Sequence, residues 1–207
     1  IDDEAQNHQL MLLHGAQGKG KSTFVRHLLP PELKDYYRNG MISPDNKDHL
    51  LQMSSCLLIN LDEFDTLSPA RMQELKSLIT QDVMNERKVY DIQNYTFIRR
   101  ASFIASTNNP HCLPDIGENR RILFNTLLEI DYHTPVNHQG IYAQAYALYQ
   151  QGFQYWYENQ EITFLNNRNE AFRQKDPLGR IFSSIPGQPD QTIYKQNGIL
   201  PPSCCRY

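Results

Sequence analysis

The chain has no long hydrophobic run: the strongly apolar stretches Leu10 to Leu13 and Cys56 to Ile59 are only four residues each in a sequence of 207. A membrane-spanning helix needs about 20 apolar residues, so no span is expected. The opening residues, IDDEAQNHQ, are acidic and carry no apolar stretch of the kind a signal peptide requires. They also lack an initiator Met, so the sequence is read as a domain of a longer chain. Cysteine is scarce. Cys56, Cys112 and the adjacent Cys204 and Cys205 have neither CxxC spacing nor a regular framework, which argues against a zinc site and a disulfide scaffold and for a reducing, cytoplasmic setting. An excess of positive charge is missing too. The net charge is −3 and the pI about 6.2, which excludes a protein whose whole surface binds nucleic acid but leaves a local basic channel open. With 40% hydrophobic and 21% charged residues, the chain can bury a core.

What is present alternates between strand-like and helix-like segments. Leu10 to Leu13 reads as a buried parallel strand that ends in a glycine-rich turn. A helix is expected over 21–29, stopped by Pro30 and Pro31, and a short one around 46–53 capped by Asp45. Cys56 to Leu61 is a second buried strand. Ser68 and Pro69 form an N-cap and first helical turn, with Met72, Leu75 and Ile79 as the apolar face. Residues 87–100 suggest a β-hairpin around Asn94. Ala101 to Thr107 is a further buried strand, and 122–130 carries one or two more. A long helix is expected over 138–158, where Tyr142, Tyr146, Tyr149 and Phe153 form an aromatic row read as core packing. Domain boundaries follow: a core over 1–135, C-terminal helices packed on it over 136–175, and a linker or the start of a further domain over 176–207.

Four segments carry chemistry. Gly15-Ala16-Gln17-Gly18-Lys19-Gly20-Lys21-Ser22 fits G-x-x-x-x-G-K-[ST] at every fixed position, between an apolar strand and a helix. Such a loop bends its backbone N–H groups around a phosphate chain. Lys21 neutralises β- and γ-oxygens, Ser22 offers a hydroxyl to magnesium, and Gly15, Gly18, Lys19, Gly20 and Thr23 complete the candidate nucleotide-binding set. The strand ending in Asp62 and Glu63 delivers two carboxylates to the edge of a sheet where ligands sit. Asp62 is placed to hold magnesium, and Glu63 to polarise an attacking water; an acidic turn after a strand is the plainer alternative. Asn108, at the end of the 101–107 strand, is able to bridge a γ-phosphate and that water, although Asn-Asn-Pro is also ordinary turn chemistry. Arg120 and Arg121 are candidates for stabilising transition-state charge, often from a neighbouring subunit; a surface arginine pair is the alternative.

In this order, GAQGKGKST, LLINLDEFD, LKSLIT, ASFIASTNN and GENRR resemble the virulence-associated E family of P-loop ATPases. That family is related to superfamily 3 helicases and occurs in primase-helicase proteins of phages and mobile elements. The resemblance spans about residues 8–130 and extends to about 175 through AYALYQQGFQYW and EITFLNNRNEAF. It implies an α/β P-loop NTPase fold of the AAA+-like, superfamily 3 kind, with a mainly parallel sheet and a helical C-terminal extension. It further implies ATP and Mg²⁺ at Lys21, Ser22 and Asp62, Glu63 as base, Asn108 as sensor, and Arg120 or Arg121 as a finger acting in trans within a homo-oligomeric ring of about six. One departure stands out. The family usually has a Pro-Tyr-Gly-Arg stretch after the acidic helix, whereas Arg87-Lys88-Val89-Tyr90-Asp91 lacks that Pro and Gly.

The expected function is Mg-dependent ATP hydrolysis in the motor of a DNA helicase or primase-helicase acting on single-stranded or forked DNA. The alternatives are an ATP-gated interaction module without unwinding activity and a P-loop phosphotransferase. Adenine is favoured over guanine because no Asn-Lys-x-Asp tetrapeptide occurs; Asn46-Lys47-Asp48-His49 lacks the final Asp. DNA is expected at the 87–100 hairpin, where Arg87, Lys88, Arg99 and Arg100 stand against Asp91 and where Tyr90 and Tyr95 can stack on bases; a solvated hairpin whose arginines neutralise nearby phosphates or acids is the alternative.

Overall fold

The computed structural model describes residues 7–87, 94–113 and 119–174. The chain divides into the unit Ile1–Arg173 and a second, Gln174–Tyr207, which lies beyond the described residues from 175 onward. The expectations for 176–207, including Cys204 and Cys205, fall outside what is described.

Five strands form one parallel sheet: β1 (Leu10–His14), β2 (Tyr37–Asn39), β3 (Leu58–Leu61), β6 (Ser102–Thr107) and β7 (Ile122–Thr126). Their spatial order is β2-β3-β6-β1-β7, so β6 is inserted between β1 and the strand that carries Asp62. Side chains alternate between two apolar layers. Leu10, Leu12, Ile59, Leu61, Phe103, Ala105, Ile122 and Phe124 face one layer, with Met53 of α2 (Lys47–Ser55) and Met72, Leu75 and Ile79 of α3 (Pro69–Thr80). Leu13, Leu58 and Ile104 face the other, with Val25 of α1 (Lys21–His27). Burial on both faces is why these strands read as short continuous apolar runs. Phe103 and Phe124 are almost fully buried, so truncating either to Ala costs about 3–5 kcal/mol.

Several expectations are corrected here. The side chain of Asn46, not Asp45, caps α2 by accepting from the N–H groups of Asp48 and His49. The hairpin exists but is shifted: β4 (Val83–Arg87) pairs antiparallel with β5 (Asn94–Ile98), Arg87 opposite Asn94, so Asn94 begins a strand. Lys88, Tyr90 and Asp91 lie outside the described residues. The helix expected over 138–158 ends early: α4 (His138–Gln150) stops before Gly152, whose φ of 71° leaves the helical region, and a separate helix, α5 (Asn159–Asn169), begins beyond the expected range. The aromatic row is not core. No residue of α4 is buried, and Tyr146 is 62% and Phe153 58% exposed. The period-3.6 pattern marks an apolar stripe but says nothing about what covers it.

The following helix is anchored differently. Glu158 and Glu161 close a capping box at the start of α5, and Leu165 and Asn169 are buried. Asn169 Nδ2 donates to the carbonyls of Asn119 and Ile122, both at 2.9 Å, and Phe172 stacks on Phe124 with centroids 3.7 Å apart. Leu113 and Arg173 form an isolated parallel bridge. Cys56 and Cys112 are buried free thiols, and burial pushes the Cys112 thiol up to about 11. Among the described residues, no helix is long and apolar enough to cross a membrane.

Candidate functional site

All strands of the parallel sheet end at the same edge, and there the 15–22 loop joins β1 to α1. Gly18 and Gly20 take φ values of 78° and 79°, a left-handed conformation that side chains rarely adopt. These turns open the loop onto a cavity of about 430 Å³, lined by Gln17 to Thr23, Asp62, Glu63, Asp65, Ser106 to Asn108, and Tyr132.

Lys21 lies at the centre. Its ammonium donates to the carbonyls of Gly15 (2.6 Å) and Ala16 (2.9 Å) and to Asn108 Oδ1 (2.8 Å). Burial depresses its pKa, while Asp62 and Asp65 oppose the shift. The insertion of β6 explains the Asn108 contact, since the end of β6 lies beside the end of β1.

Asp62 Oδ1 accepts from Ser22 Oγ (2.9 Å), Ser106 Oγ (2.8 Å) and Asn60 Nδ2 (3.0 Å). Burial alone would raise its pKa, but hydrogen bonds from Ser106, Ser22, Asn39 and Asn60 outweigh it and hold the carboxyl below its ordinary value. Asp62 is therefore an anion at neutral pH. Glu63 follows in a left-handed conformation, φ 56°, which is strained for a residue with a Cβ, and it is exposed at the cavity wall.

The structure thus brings together Gly15, Gly18, Lys19, Gly20, Lys21, Ser22, Thr23, Asp62, Glu63 and Asn108, all but Gly15 among the cavity-lining residues. It does not bring Arg120 or Arg121 there. Both precede Ile122, the first residue of β7, and the Leu10 N–H donates to the Arg121 carbonyl, so the pair sits at the opposite edge of the sheet. A strand of β7's length separates the edges by roughly 15 Å.

The hairpin loses a charge as well. Arg99 is 3% exposed, and its guanidinium donates to the carbonyls of Gln81 (3.0 Å), Ala101 (2.7 Å) and Asn7 (3.0 Å). It is a buried structural cation and not part of a DNA-facing surface.

Four participants were given no role by the sequence. Asp65 accepts from Thr107 Oγ1 at 3.1 Å and faces the cavity. Asn60 is a fully buried amide joining Asn39 to Asp62. His14 stacks on Phe124 beneath the loop, its pKa lowered by burial and then by Lys21. Tyr132 closes the cavity against Gly20. Of these, only Asp65 had a usable signal, its position two residues past the acidic pair.

The arrangement has the chemistry to receive a polyanion. Left-handed glycines open the backbone, a buried amine is held by carbonyls that it can release, and an ionised carboxylate paired with a hydroxyl suits a hard cation.

A family model described as a virulence-associated protein E-like domain matches residues 4–174. Among solved structures, the chain is similar to apo forms of the NrS-1 C-terminal region. One has 18% identity and a TM-score of 0.42, covering 83% of this chain and 35% of that one. A second has 15% identity and a TM-score of 0.46, covering 83% and 37%. The chain spans little more than a third of those chains. No curated protein matches it.

Proposed function

This chain belongs to the virulence-associated protein E-like family, and from that premise and the geometry of the 15–22 loop we propose that it is an Mg-dependent ATPase with a P-loop NTPase fold, serving DNA replication as the motor of a helicase or primase-helicase. The observation that carries the proposal is the convergence on one cavity of a buried Lys21 ammonium, the Ser22–Asp62 pair, Glu63 and Asn108.

Each residue has a task. Lys21 exchanges its bonds to the Gly15 and Ala16 carbonyls for phosphate oxygens, which are stronger, charged acceptors. Its departure frees the Asn108 amide to face the terminal phosphate and the attacking water. Asp62 fits a magnesium ion because its carboxylate is ionised and already paired with the Ser22 hydroxyl. The ion supplies neutralisation of phosphate charge. Glu63 accepts the proton of the water. Its backbone adopts a left-handed conformation, φ 56°, at the cavity wall, a costly geometry that the surrounding turn must maintain.

Arg120 and Arg121 reach no phosphate of their own chain. In the proposed mechanism a neighbouring copy of a homo-oligomeric ring supplies the finger, which makes hydrolysis depend on assembly. Single-stranded DNA is assigned to the β4–β5 hairpin, now without Arg99.

The test is Glu63→Gln. The variant is expected to bind ATP with unchanged affinity while its release of free phosphate falls about 10²- to 10⁴-fold. Turnover close to that of the unmodified chain would remove Glu63 from the mechanism. Phosphate passed to an added acceptor instead of to water would favour the phosphotransferase.

A further inference from the structure

The nucleotide cavity has a chemical gradient along the sheet edge. β3 and β6 lie on one side of β1, β7 on the other. Every acid and amide named for the terminal phosphate, Asp62, Glu63 and Asn108, comes from the β3 and β6 side. A nucleotide bound along the loop therefore points its terminal phosphate toward β6, and its sugar and base must leave toward β7. The chain that follows β7 passes there, with the Leu127 N–H donating to the His14 carbonyl at 2.8 Å.

On that side the cavity wall is Tyr132, the one aromatic residue among the described residues that line it. Its ring lies against Gly20, and a methyl group added to Gly20 would overlap three of its ring carbons. The ring is half-buried and borders the same cavity as Thr23. The tyrosine is held from both neighbours. Asp131 Oδ1 accepts from the N–H groups of His133 (3.1 Å) and Thr134 (3.0 Å), Asp131 Oδ2 accepts from Thr134 Oγ1 (2.6 Å), and the His133 ring sits 4.2 Å from the Tyr132 ring. An aromatic carried on a turn that Asp131 fixes is offered to the cavity with little further ordering of the backbone.

We propose that Tyr132 is the base-stacking wall of this site: the base of a bound nucleoside triphosphate lies on its ring while the phosphates follow the 15–22 loop. The inference rests on the nucleotide reading of that loop. Stacking is tolerant of base identity because every base has a π-face, so Tyr132 contributes affinity for nucleotides over inorganic polyphosphate and little choice among bases. The contact also gives Gly20 a second reason to be glycine, beyond its φ of 79°: a side chain there would displace the ring.

The experiment separates base from phosphate. The 207-residue chain and its Tyr132→Leu and Tyr132→Phe variants are titrated with Mg-ATP and with inorganic tripolyphosphate, which has the charge but no base. Tyr132→Leu is expected to weaken ATP about tenfold or more and to leave tripolyphosphate unchanged, while Tyr132→Phe keeps both affinities. Unchanged tripolyphosphate binding also certifies that the variant is folded. Unaltered ATP affinity in Tyr132→Leu overturns the assignment. An equal loss for both ligands overturns it too, because the ring then only props the loop. If the unmodified chain binds neither ligand, the nucleotide reading itself fails and this inference falls with it.

Discussion

Two lysines invite comparison. Lys21, at the start of α1, is 8% exposed, and Lys76, in α3, is 4% exposed. Both donate to an asparagine Oδ1, Lys21 to Asn108 at 2.8 Å and Lys76 to Asn119 at 2.9 Å. Both have pKa values lowered first of all by burial. Their surroundings differ. Lys21 borders the cavity, and the charges of Asp62 and Asp65 act to keep it protonated. Lys76 borders none of the cavities at the strand ends; Arg121 depresses it further, and its asparagine belongs to the connection into β7, fastened from beyond by Asn169. Burial and an amide partner do not mark a functional lysine. What sets Lys21 apart is access to a cavity and partners that a ligand could replace.

The largest expected effects are opposite in kind. Lys21→Ala should weaken ATP binding by more than about 100-fold, because the loop loses its buried charge at the phosphate position, and should lower the melting temperature less than Lys76→Ala does, because the acceptors it leaves, the Gly15 and Ala16 carbonyls and Asn108 Oδ1, lie beside a cavity that water can enter. Lys76→Ala should leave ATP affinity alone and cost about 1–3 kcal/mol by stripping Asn119 Oδ1 of its lysine in a buried setting. Titration calorimetry and thermal melts on both variants check this. A Lys76→Ala protein that melts normally but cannot bind ATP would break the contrast.

The asparagines sharpen it. Asn108→Ala is expected to lower kcat about 10²-fold with stability within about 0.5 kcal/mol, as for loss of one donor to a developing charge on an exposed residue. Asn119→Ala should instead lower stability about 1–3 kcal/mol, since its side chain is the acceptor of Lys76. Steady-state kinetics beside denaturant unfolding separates the two.

The smallest effect is in pH dependence. The folded pKa of Asp62 lies below its ordinary value of 3.8, so the unfolded chain binds more protons as acid is added. Its contribution is present above the unfolded pKa and is lost as pH falls through the lower, folded pKa. The difference in unfolding free energy between the unmodified chain and Asp62→Asn should therefore shrink on acidification through that range. A difference that stays flat would mean that the hydrogen bonds from Ser22 and Ser106 do not favour the ionised form.

How much of this could be read from residues in a row depends on how local the physics is. The 15–22 loop was legible because strand, glycines and helix are contiguous, and β3 and β6 because strands buried on both faces leave apolar runs. Asn108 was legible by its place at a strand end. Arg99 was not, since its acceptors are carbonyls of Gln81, Ala101 and Asn7, two of them distant in sequence, and a burial-satisfied arginine looks the same as a surface one in a string. The row Tyr142, Tyr146 and Tyr149 has the spacing of a core stripe, yet no buried residue comes from α4; amphipathicity identifies the stripe and not its partner. Gly152 fell within that pattern, and the φ of 71° that marks the end of the helix is a backbone property with no local alternative signal beyond glycine itself. Tyr132 belongs to no motif. Its position emerges only when β7 is set beside β1.

The insertion of β6 between β1 and β3 also dictates an order of assembly. β1 spans Leu10–His14, but both strands it pairs with, β6 and β7, begin at Ser102 or later. The Lys21–Asn108 bond closes a separation of 87 residues. During synthesis, β2 and β3 can pair early, while β1 and its loop wait for more than half of the described chain to emerge. Within this domain, the residues that would bind phosphate are made well before the strand that supplies their neighbours.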